Sequence, residues 1–346
     1  MQTRDQNPGK TNAPALMWAV QLTGPVEPSQ MRVSEIPLPQ VKPGWVRVKV
    51  KAFGINQSET VSRRGLSDPD FTFPRVLGIE GVGLIDAVTP NSCYQPGQQV
   101  AFMMGGLGRE YDGSYAQYTL VPESILIPFK SDLDWVTLGA IPEITQTAYG
   151  SLIEAMRAKP GDTVLVRGAT SSVGLMALGL ANWLGVKAVA TTRRESSRQL
   201  LLDAGAQAVV IDDGTIAPKV RELYPQGVDS ALELVGLNVL ADTLRCVRRG
   251  GMVSFTGSLS EVWVMDKFAP FEILPSTVGL TVYHGHSQDL PAEILQQVYD
   301  AVACGQIKVP LGQVFHGLEQ VGLAHEAMQL GGVKRAKPGK NVVVLD

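Results

Sequence analysis

A run of small residues between two apolar segments is the part of the sequence that most plainly predicts chemistry. Residues 168–174 read Gly-Ala-Thr-Ser-Ser-Val-Gly, after a strand-like segment and before a helix-like one. Small side chains let the backbone turn tightly and aim its N–H groups at a phosphate from the positive end of a helix. The candidate contacts are Thr170, Ser171, Ser172 and Val173. Because the run is not a strict Gly-x-Gly-x-x-Gly, an ordinary strand-to-helix turn is the alternative interpretation.

Two adjacent arginines at the end of the next strand bear on the choice of nucleotide. Residues 190–194 read Ala-Thr-Thr-Arg-Arg, and no carboxylate precedes Glu195. Dinucleotide folds that prefer NAD carry an acidic residue here, about 20 residues after the loop, which binds a ribose hydroxyl. Guanidinium groups pair instead with phosphate oxygens, and NADPH carries a 2′-phosphate at this point. Thr192, Arg193 and Arg194 therefore predict NADPH as the cofactor; the alternative is a solvated basic start of a helix.

Alternating strand and helix patterns must position these segments. The sequence predicts strands at 163–167, 187–190, 208–211, 229–234 and 252–255, and helices at 173–184, 196–204 and 291–304. Repeated βα units of about 25–30 residues indicate a doubly wound parallel sheet, which binds ligands at the carboxyl edge of its strands. The residues expected at that edge are Gly236, Phe255, Thr256 and Gly257. Before residue 135, the alternating strand 46–52 and many glycines and prolines favour a small β-barrel or sandwich.

Composition narrows the class of protein. The length of 346 residues predicts two domains, the 45% of apolar residues can form a large core, and the net charge of −3 gives no reason to expect binding to nucleic acid. No uncharged apolar run reaches the ~18 residues that suggest a membrane span. Residues 1–15 are predicted to be a loose tail. Cys93, Cys246 and Cys304 form no CxxC pair, which favours a reducing, cytoplasmic location.

Five further segments, together with the phosphate loop, resemble the zinc-lacking quinone oxidoreductase and enoyl reductase branch of the medium-chain dehydrogenase/reductase superfamily. They are Ala-Phe-Gly-Ile-Asn at 52–56, Pro-Arg-Val-Leu-Gly-Ile-Glu-Gly-Val-Gly at 74–83, Gly-Ser-Tyr-Ala-Gln-Tyr at 113–118, Thr-Ala-Tyr at 147–149 and Gly-Lys-Asn-Val-Val at 339–343. The resemblance extends over nearly the whole chain from about residue 15.

The resemblance implies an α/β protein of two domains. A GroES-like β-barrel catalytic domain would comprise residues 16–143 and 288–346, and a Rossmann domain with a doubly wound parallel sheet would bind NADPH through residues 144–287. The cofactor and a small-molecule substrate would lie in the cleft between the domains. The resemblance also implies a homodimer joined through the cofactor domain.

Three positions that hold zinc in other members of the superfamily differ in this chain. Asn56 stands at the cysteine position, Ile79 at the histidine position and Glu143 at the third. Because a catalytic zinc normally has three protein ligands, we expect no metal here. His284 and His286 would share one face of a strand, but no third ligand is apparent nearby.

The resemblance also supplies candidates for the reaction. It implies that Asn56 and Thr147 lie near the nicotinamide and that Asn341 hydrogen-bonds its amide. Many relatives carry a tyrosine where this chain has Val61, so the obvious proton donor is missing. The candidate catalytic residues are Asn56, Tyr149 and Tyr283.

Other interpretations remain open for several of these side chains. For each tyrosine the alternative is simple packing. Arg63 and Arg64 either meet an acidic substrate or form a solvated turn.

These expectations describe a zinc-independent, NADPH-dependent oxidoreductase that transfers hydride to a quinone or an α,β-unsaturated carbonyl. Without a Lewis acid, alcohol oxidation loses its usual means of stabilising an alkoxide. An activated C=C bond instead delocalises the new charge onto oxygen, where hydrogen bonds can meet it. Two alternatives remain open: an NADPH-binding protein with a structural or regulatory role, and a non-redox cyclisation or elimination in the same cleft.

Overall fold

The N-terminal part of the chain consists of short strands. The computed structural model describes residues 15–329 and 337–345, so most of the predicted tail lies outside the described residues. The strands are β1 (Leu16–Ala19), β2 (Gln21–Leu22), β3 (Ser34–Pro37), β4 (Trp45–Gly54), β5 (Arg75–Val76), β6 (Glu80–Ala87), β7 (Gln99–Met103), β8 (Tyr118–Pro122) and β9 (Leu126–Pro128). Two short helices, α1 (Gln57–Arg63) and α2 (Trp135–Gly139), accompany them. The predicted strand at 46–52 is confirmed within β4.

The middle of the chain alternates helices and strands as the sequence predicts. The helices are α3 (Pro142–Gly150), α4 (Ser172–Trp183), α5 (Arg198–Asp203), α6 (Ala217–Leu223), α7 (Leu237–Cys246) and α8 (Pro270–Ile273). The strands are β10 (Thr163–Arg167), β11 (Lys187–Thr192), β12 (Ala208–Ile211), β13 (Val228–Glu233), β14 (Val247–Phe255) and β15 (Gly279–Val282). One expectation is wrong: β15 ends at Val282, so His284 and His286 lie beyond it and share no strand face.

The last part of the chain returns to the first. It contains α9 (Ala292–Ala303), β16 (Leu311–His316), α10 (Val321–Gln329) and β17 (Lys340–Val344). Strand β17 lies between β16 and β4 and pairs antiparallel with β4, with Val343 opposite Phe53. Residues near position 340 are thereby placed beside residues near position 55.

Two large sheets organise the fold. The first has the order β16-β17-β4-β6-β7-β9, with β8 also paired to β4. The second is parallel and has the order β12-β11-β10-β13-β14-β15. Val164 and Val166 of β10 face one buried cluster and Leu165 faces another, so helices cover both sides of the sheet. The α/β fold with a GroES-like barrel and a Rossmann sheet is confirmed.

The junction between the two parts is continuous and well packed. The predicted boundary after residue 143 falls inside α3, and the ring of Tyr299 on α9 packs against Phe129, with ring centroids 4.6 Å apart. The division into domains therefore stays a prediction.

Within residues 15–329 and 337–345, no helix has the length and apolarity needed to span a membrane.

Candidate functional site

The predicted phosphate loop joins β10 to α4 in the conformation that such a loop needs. Gly168 has a φ of +83°, which favours glycine. The Ser171 hydroxyl caps α4 by accepting from the Gly174 N–H at 3.1 Å, and a Cβ on Gly174 would collide with the backbone of Ala169. The partly exposed Ser172 and Val173 stand in the first turn, where N–H groups have no partner within a helix. This end of α4 can receive a phosphate.

The two arginines lie beside that loop. Strands β10 and β11 are parallel neighbours, and the Gly168 N–H donates to Thr191 Oγ1 at 3.2 Å, which ties the loop to the end of β11. Thr192 accepts from the Arg194 N–H at 3.2 Å and so shapes the turn that follows. Arg193 and Arg194 are exposed. The structure thus brings the phosphate loop and the arginine pair to one edge of the sheet.

The ends of β13 and β14 form the neighbouring part of the same edge. The buried Glu233 carboxylate accepts from the N–H of Val235 at 2.6 Å and of Gly236 at 3.0 Å, and Gly236 has a φ of +140°. The N–H groups of Thr256 and Gly257 both donate to the Glu233 carbonyl oxygen. Phe255, at the end of β14, pairs with Val282 of β15. Gly236, Thr256 and Gly257 are therefore all held by hydrogen bonds to Glu233, the first to its carboxylate and the other two to its carbonyl oxygen.

A buried lysine occupies the centre of the junction between the two parts. The ammonium group of Lys340 contacts Asn56 Oδ1 at 2.5 Å, Glu80 Oε1 at 2.5 Å and Glu143 Oε2 at 2.8 Å. An ammonium group has three N–H donors, so the three oxygens use all of them. The Glu143 N–H also donates to Glu80 Oε2 at 3.0 Å. We call Asn56, Glu80, Glu143 and Lys340 the ammonium cluster.

The charge of this lysine is stable in its buried position. Burial by itself would lower the pKa of Lys340, but the carboxylates of Glu143 and Glu80 more than compensate and raise it. The Asn56 amide also donates from Nδ2 to Glu80 Oε1 at 3.0 Å. Both polar atoms of the Asn56 amide thus contact the ammonium cluster, and Nδ2 also donates to Glu59 Oε1 at 3.4 Å.

One face of α3 connects the ammonium cluster to the cofactor edge. Glu143, Thr147 and Ser151 follow at intervals of four residues, which places them on the same side of a helix. Thr147 donates to Glu143 Oε1 at 3.0 Å, and Ser151 Oγ lies 3.0 Å from Thr256 Oγ1. Tyr149 is turned about 200° from Thr147 around the axis, so the two do not share this face.

Asn341 has one unused hydrogen-bonding group. Its Oδ1 accepts from the Gln313 N–H at 3.2 Å, and its backbone oxygen accepts from the Ile55 N–H at 2.9 Å. Its Nδ2 is buried and has no partner among the described residues. A buried donor without a partner is costly, and a carboxamide oxygen would satisfy it. Together with the loop and the arginine pair, this orphaned donor fits a nicotinamide dinucleotide.

Tyr283 is held in a hydrogen-bonded chain on the other side of α3. Its hydroxyl donates to Asp289 Oδ2 at 2.8 Å and accepts from Gln146 Nε2 at 2.7 Å. A Cβ on Gly150 would overlap the same hydroxyl. Burial, with Asp289 next in effect, raises the pKa of Tyr283 well above its usual value. The Gln146 side chain also lies between Tyr283 and Thr147, since its Oε1 is 3.3 Å from the Thr147 hydroxyl.

Behind Asn56 lies a second buried polar group. Glu59 accepts from Tyr115 Oη at 2.6 Å, from the Asn56 N–H at 2.7 Å and from the Ile79 N–H at 2.8 Å. Burial raises its pKa to about 7 against these hydrogen bonds. Since Tyr115 donates to Glu59, its oxygen accepts from His325 Nε2 at 2.9 Å, and His325 Nδ1 is left without a partner among the described residues.

Arg63, the last residue of α1, differs from both expectations, whereas Arg64 lies partly exposed in the turn that follows. Arg63 is fully buried and donates to the Val26 carbonyl oxygen, so it is neither in a solvated turn nor exposed to substrate. Arg64 pairs with Glu261 at 3.4 Å, and Gln57 donates to the same carboxylate at 3.0 Å. These contacts join α1 to the segment after β14.

Sequence reasoning missed Glu80 and Lys340, although a weak signal was present. Each is a charged residue at the start of an apolar strand, Glu80 before Gly-Val-Gly-Leu and Lys340 before Asn-Val-Val-Val. Charges in such positions are rarely buried unless they are paired. The partner itself could not be read from the sequence.

Two family matches cover the two parts of the chain. Residues 42–131 match the alcohol dehydrogenase GroES-like domain, and residues 172–298 match the zinc-binding dehydrogenase family. The quinone oxidoreductase of Homo sapiens is 28% identical over 298 residues, which cover 85% of this chain and 88% of that protein. A 2-haloacrylate reductase from Burkholderia sp is 27% identical and covers 83% of this chain and 87% of its own length.

The solved structures agree with these matches. A mycobacterial protein whose native structure was determined in complex with NADPH superimposes with a TM-score of 0.80 at 26% identity. The alignment covers 95% of this chain and 99% of that one.

Proposed function

This chain belongs to the medium-chain dehydrogenase/reductase superfamily, in the branch of the quinone oxidoreductases, and on that premise we propose that it uses NADPH to reduce a quinone or an α,β-unsaturated carbonyl without zinc. That it is an oxidoreductase follows from the family. The cofactor, the independence from zinc and the substrate class are the proposal.

The donor set at the zinc positions is the observation that carries the proposal. Ile79 has no lone pair to offer, and the oxygens of Asn56 and Glu143 that could face a metal both accept from Lys340. A divalent cation would lie beside a fixed ammonium charge, which Coulomb repulsion disfavours. The residues present therefore do not fit a catalytic zinc, which normally has three protein ligands and one open position.

The arginine pair favours NADPH over NADH. Arg193 and Arg194 would hold the 2′-phosphate, the N–H groups of Ser172 and Val173 would hold the pyrophosphate, and Asn341 Nδ2 would donate to the carboxamide oxygen. The NADPH complex of the mycobacterial relative supports this choice. When bound, NADPH supplies a hydride to an electron-poor carbon. Because the proton of Thr147 is directed at Glu143, its oxygen is left to accept from the cleft.

None of the three candidate catalytic residues is a clear source of the proton required after hydride transfer. Asn56 and Tyr283 have their polar groups engaged inside the protein, so we assign them the role of holding the site together. Burial raises the pKa of Tyr149, which keeps it protonated, but it lies off the Thr147 face. We therefore propose that water delivers the proton, and Tyr149→Phe tests this: a large loss of kcat would instead assign the proton to Tyr149.

The names of two relatives support the substrate class. The human relative is a quinone oxidoreductase, and the Burkholderia relative is a 2-haloacrylate reductase, whose name indicates an activated C=C bond. Both chemistries place the developing charge on a conjugated oxygen, which hydrogen bonds can stabilise.

The same proposal includes a homodimer joined through the cofactor domain. Strand β15 ends the parallel sheet and pairs only with β14 among the described strands. Such an edge can continue into a second copy of the sheet. Sedimentation of the purified chain tests this assembly.

The decisive experiment measures loss of NADPH absorbance with a panel of quinones and α,β-unsaturated carbonyls, with and without a metal chelator. We expect turnover that the chelator leaves unchanged. Binding of NADPH without turnover on any acceptor would favour a structural, regulatory or non-redox role. Loss of turnover with the chelator would refute the zinc-free reaction.

A further inference from the structure

The ammonium group of Lys340 lies among the positions that bind a zinc ion in other members of the superfamily. Of its three oxygen partners, Asn56 and Glu143 occupy two of the three positions that hold zinc in those members. The third partner, Glu80, follows Ile79, which occupies the remaining position. Two of the three side chains around this buried positive charge thus stand at positions that hold a metal in those members.

We propose that Lys340 is a positioning residue whose ammonium group takes the place of a metal ion and holds Glu143 in the orientation that directs Thr147 toward the cofactor cleft. This inference rests on the zinc-free function proposed above.

The contacts on the two oxygens of Glu143 explain how the positioning works. Oε2 receives the ammonium group at 2.8 Å, and Oε1 receives the Thr147 hydroxyl at 3.0 Å. The contact of Oε2 with Lys340 restricts the positions that Oε1 can take, and the two contacts together hold the carboxylate in one orientation. Glu143 Oε1 is then the nearer of two acceptors for the Thr147 proton, the other being Gln146 Oε1 at 3.3 Å.

The same charge holds two carboxylates close together. Glu80 and Glu143 both approach the ammonium group, and Glu80 also accepts from the Glu143 N–H. Without the cation, two buried carboxylates would face one another and repel. Lys340 therefore also joins β6 of the barrel to the start of α3.

The fold reserves space for this side chain. A Cβ on Gly54 would overlap Lys340 Cε and would lie 2.5 Å from Glu80 Oε1. Gly54 is not in the left-handed region, so the glycine is needed here for room and not for its backbone freedom. The side chain of Lys340 is 1% exposed, so its ammonium group is shielded from bulk solvent.

The test removes the ammonium group and asks whether a metal ion replaces it. Lys340→Ala leaves one amide oxygen and two carboxylates around an open space, a donor set that suits a hard divalent cation. Lys340→Met removes the charge but fills the space, and is the matched control. Mn²⁺ binding to the full-length chain is followed by electron paramagnetic resonance, and NADPH binding by fluorescence in parallel.

We expect the alanine variant to bind about one Mn²⁺ per chain, about tenfold or more tighter than the wild type or the methionine variant. Adding Glu80→Gln should abolish that binding. Methylammonium should restore part of the lost kcat of Lys340→Ala, whereas the bulkier tetramethylammonium should not.

Two results would overturn the proposal: a folded Lys340→Ala that binds no Mn²⁺, or a Lys340→Met whose kcat equals that of the wild type. If the alanine variant is unfolded in the presence of a chelator, refolding on addition of Mn²⁺ or methylammonium supports the proposal, and failure of both cations to refold it refutes the proposal. Failure of the wild type to bind NADPH would count against the proposed function alone, since Mn²⁺ binding is read separately.

Discussion

The Thr147 hydroxyl lies 3.0 Å from Glu143, with Oγ1 donating to Oε1. Both acceptors of the Thr147 proton, Glu143 Oε1 and Gln146 Oε1, lie inside the protein, so the hydroxyl oxygen remains as an acceptor for a ligand. It also connects a residue that the sequence assigns to the nicotinamide with the ammonium cluster.

Thr147→Val should weaken use of the cofactor. Removing one hydrogen-bonding oxygen should lower kcat/KM for NADPH about three- to tenfold, and Thr147→Ser should keep most of it. Steady-state kinetics measure both. Thr145→Val is the matched control on the same helix, because the buried Thr145 hydroxyl has no partner among the described residues; it should leave kcat/KM unchanged. Equal losses at both positions would indicate a general effect on α3.

Replacing Arg193 and Arg194 together by alanine should change the preference between the two nucleotides. Each charge-assisted bond to a phosphate contributes about 1.5–3 kcal/mol, so the dissociation constant for NADPH should rise by at least about tenfold while that for NADH stays nearly constant. Fluorescence titration measures both constants. Arg249→Ala is the control, because Arg249 is exposed in the N-terminal half of β14, away from the carboxyl edge of the sheet. Equal weakening of both nucleotides would refute the assignment of the 2′-phosphate.

Gly54→Ala should destabilise the protein by crowding Lys340 and Glu80. Overpacking of a filled interior costs about 1–3 kcal/mol, and urea unfolding measures it. Gly24→Ala is the matched control, since nothing lies within 4 Å of a Cβ at that position. A Gly54→Ala variant as stable as the control would show that Lys340 can move aside freely.

His325 should make the protein sensitive to acid. Burial lowers its pKa from 6.5 to about 3, with Arg63 adding to the effect. Between these two values the unfolded chain binds a proton that the folded chain does not, so the free energy of unfolding decreases as the pH falls below 6.5. The contribution is up to about 1.4 kcal/mol for each pH unit.

The variant His325→Gln cannot titrate but keeps a donor for Tyr115, so its free energy of unfolding should fall less steeply between pH 6.5 and 3. Urea unfolding at several pH values in this range gives the difference from the wild type. His316→Gln, at an exposed histidine, should follow the wild type closely. Parallel curves for the wild type and His325→Gln would contradict the assignment.

Local patterns in the sequence were sufficient for much of the fold. The strands at 163–167 and 208–211 have the predicted bounds, and the loop at 168–174 joins a strand to a helix as expected. Periodicity and turn residues act over a few positions, so one segment carries all the information that its element needs. At His284 and His286 the sequence offers only a spacing, and the structure has no strand there because β15 ends at Val282.

The sequence by itself determined the βα alternation, the phosphate loop with its neighbouring arginines, and the replacement of residues at the zinc positions. Only the tertiary structure decided that the ammonium group of Lys340 lies among the residues at the zinc positions. Lys340 meets Asn56 across 284 residues because β17 returns to pair with β4, and it meets Glu143 because α3 begins against β6. No local sequence pattern predicts these contacts, because the attraction between buried charges depends on their distance in space. The folded backbone sets that distance.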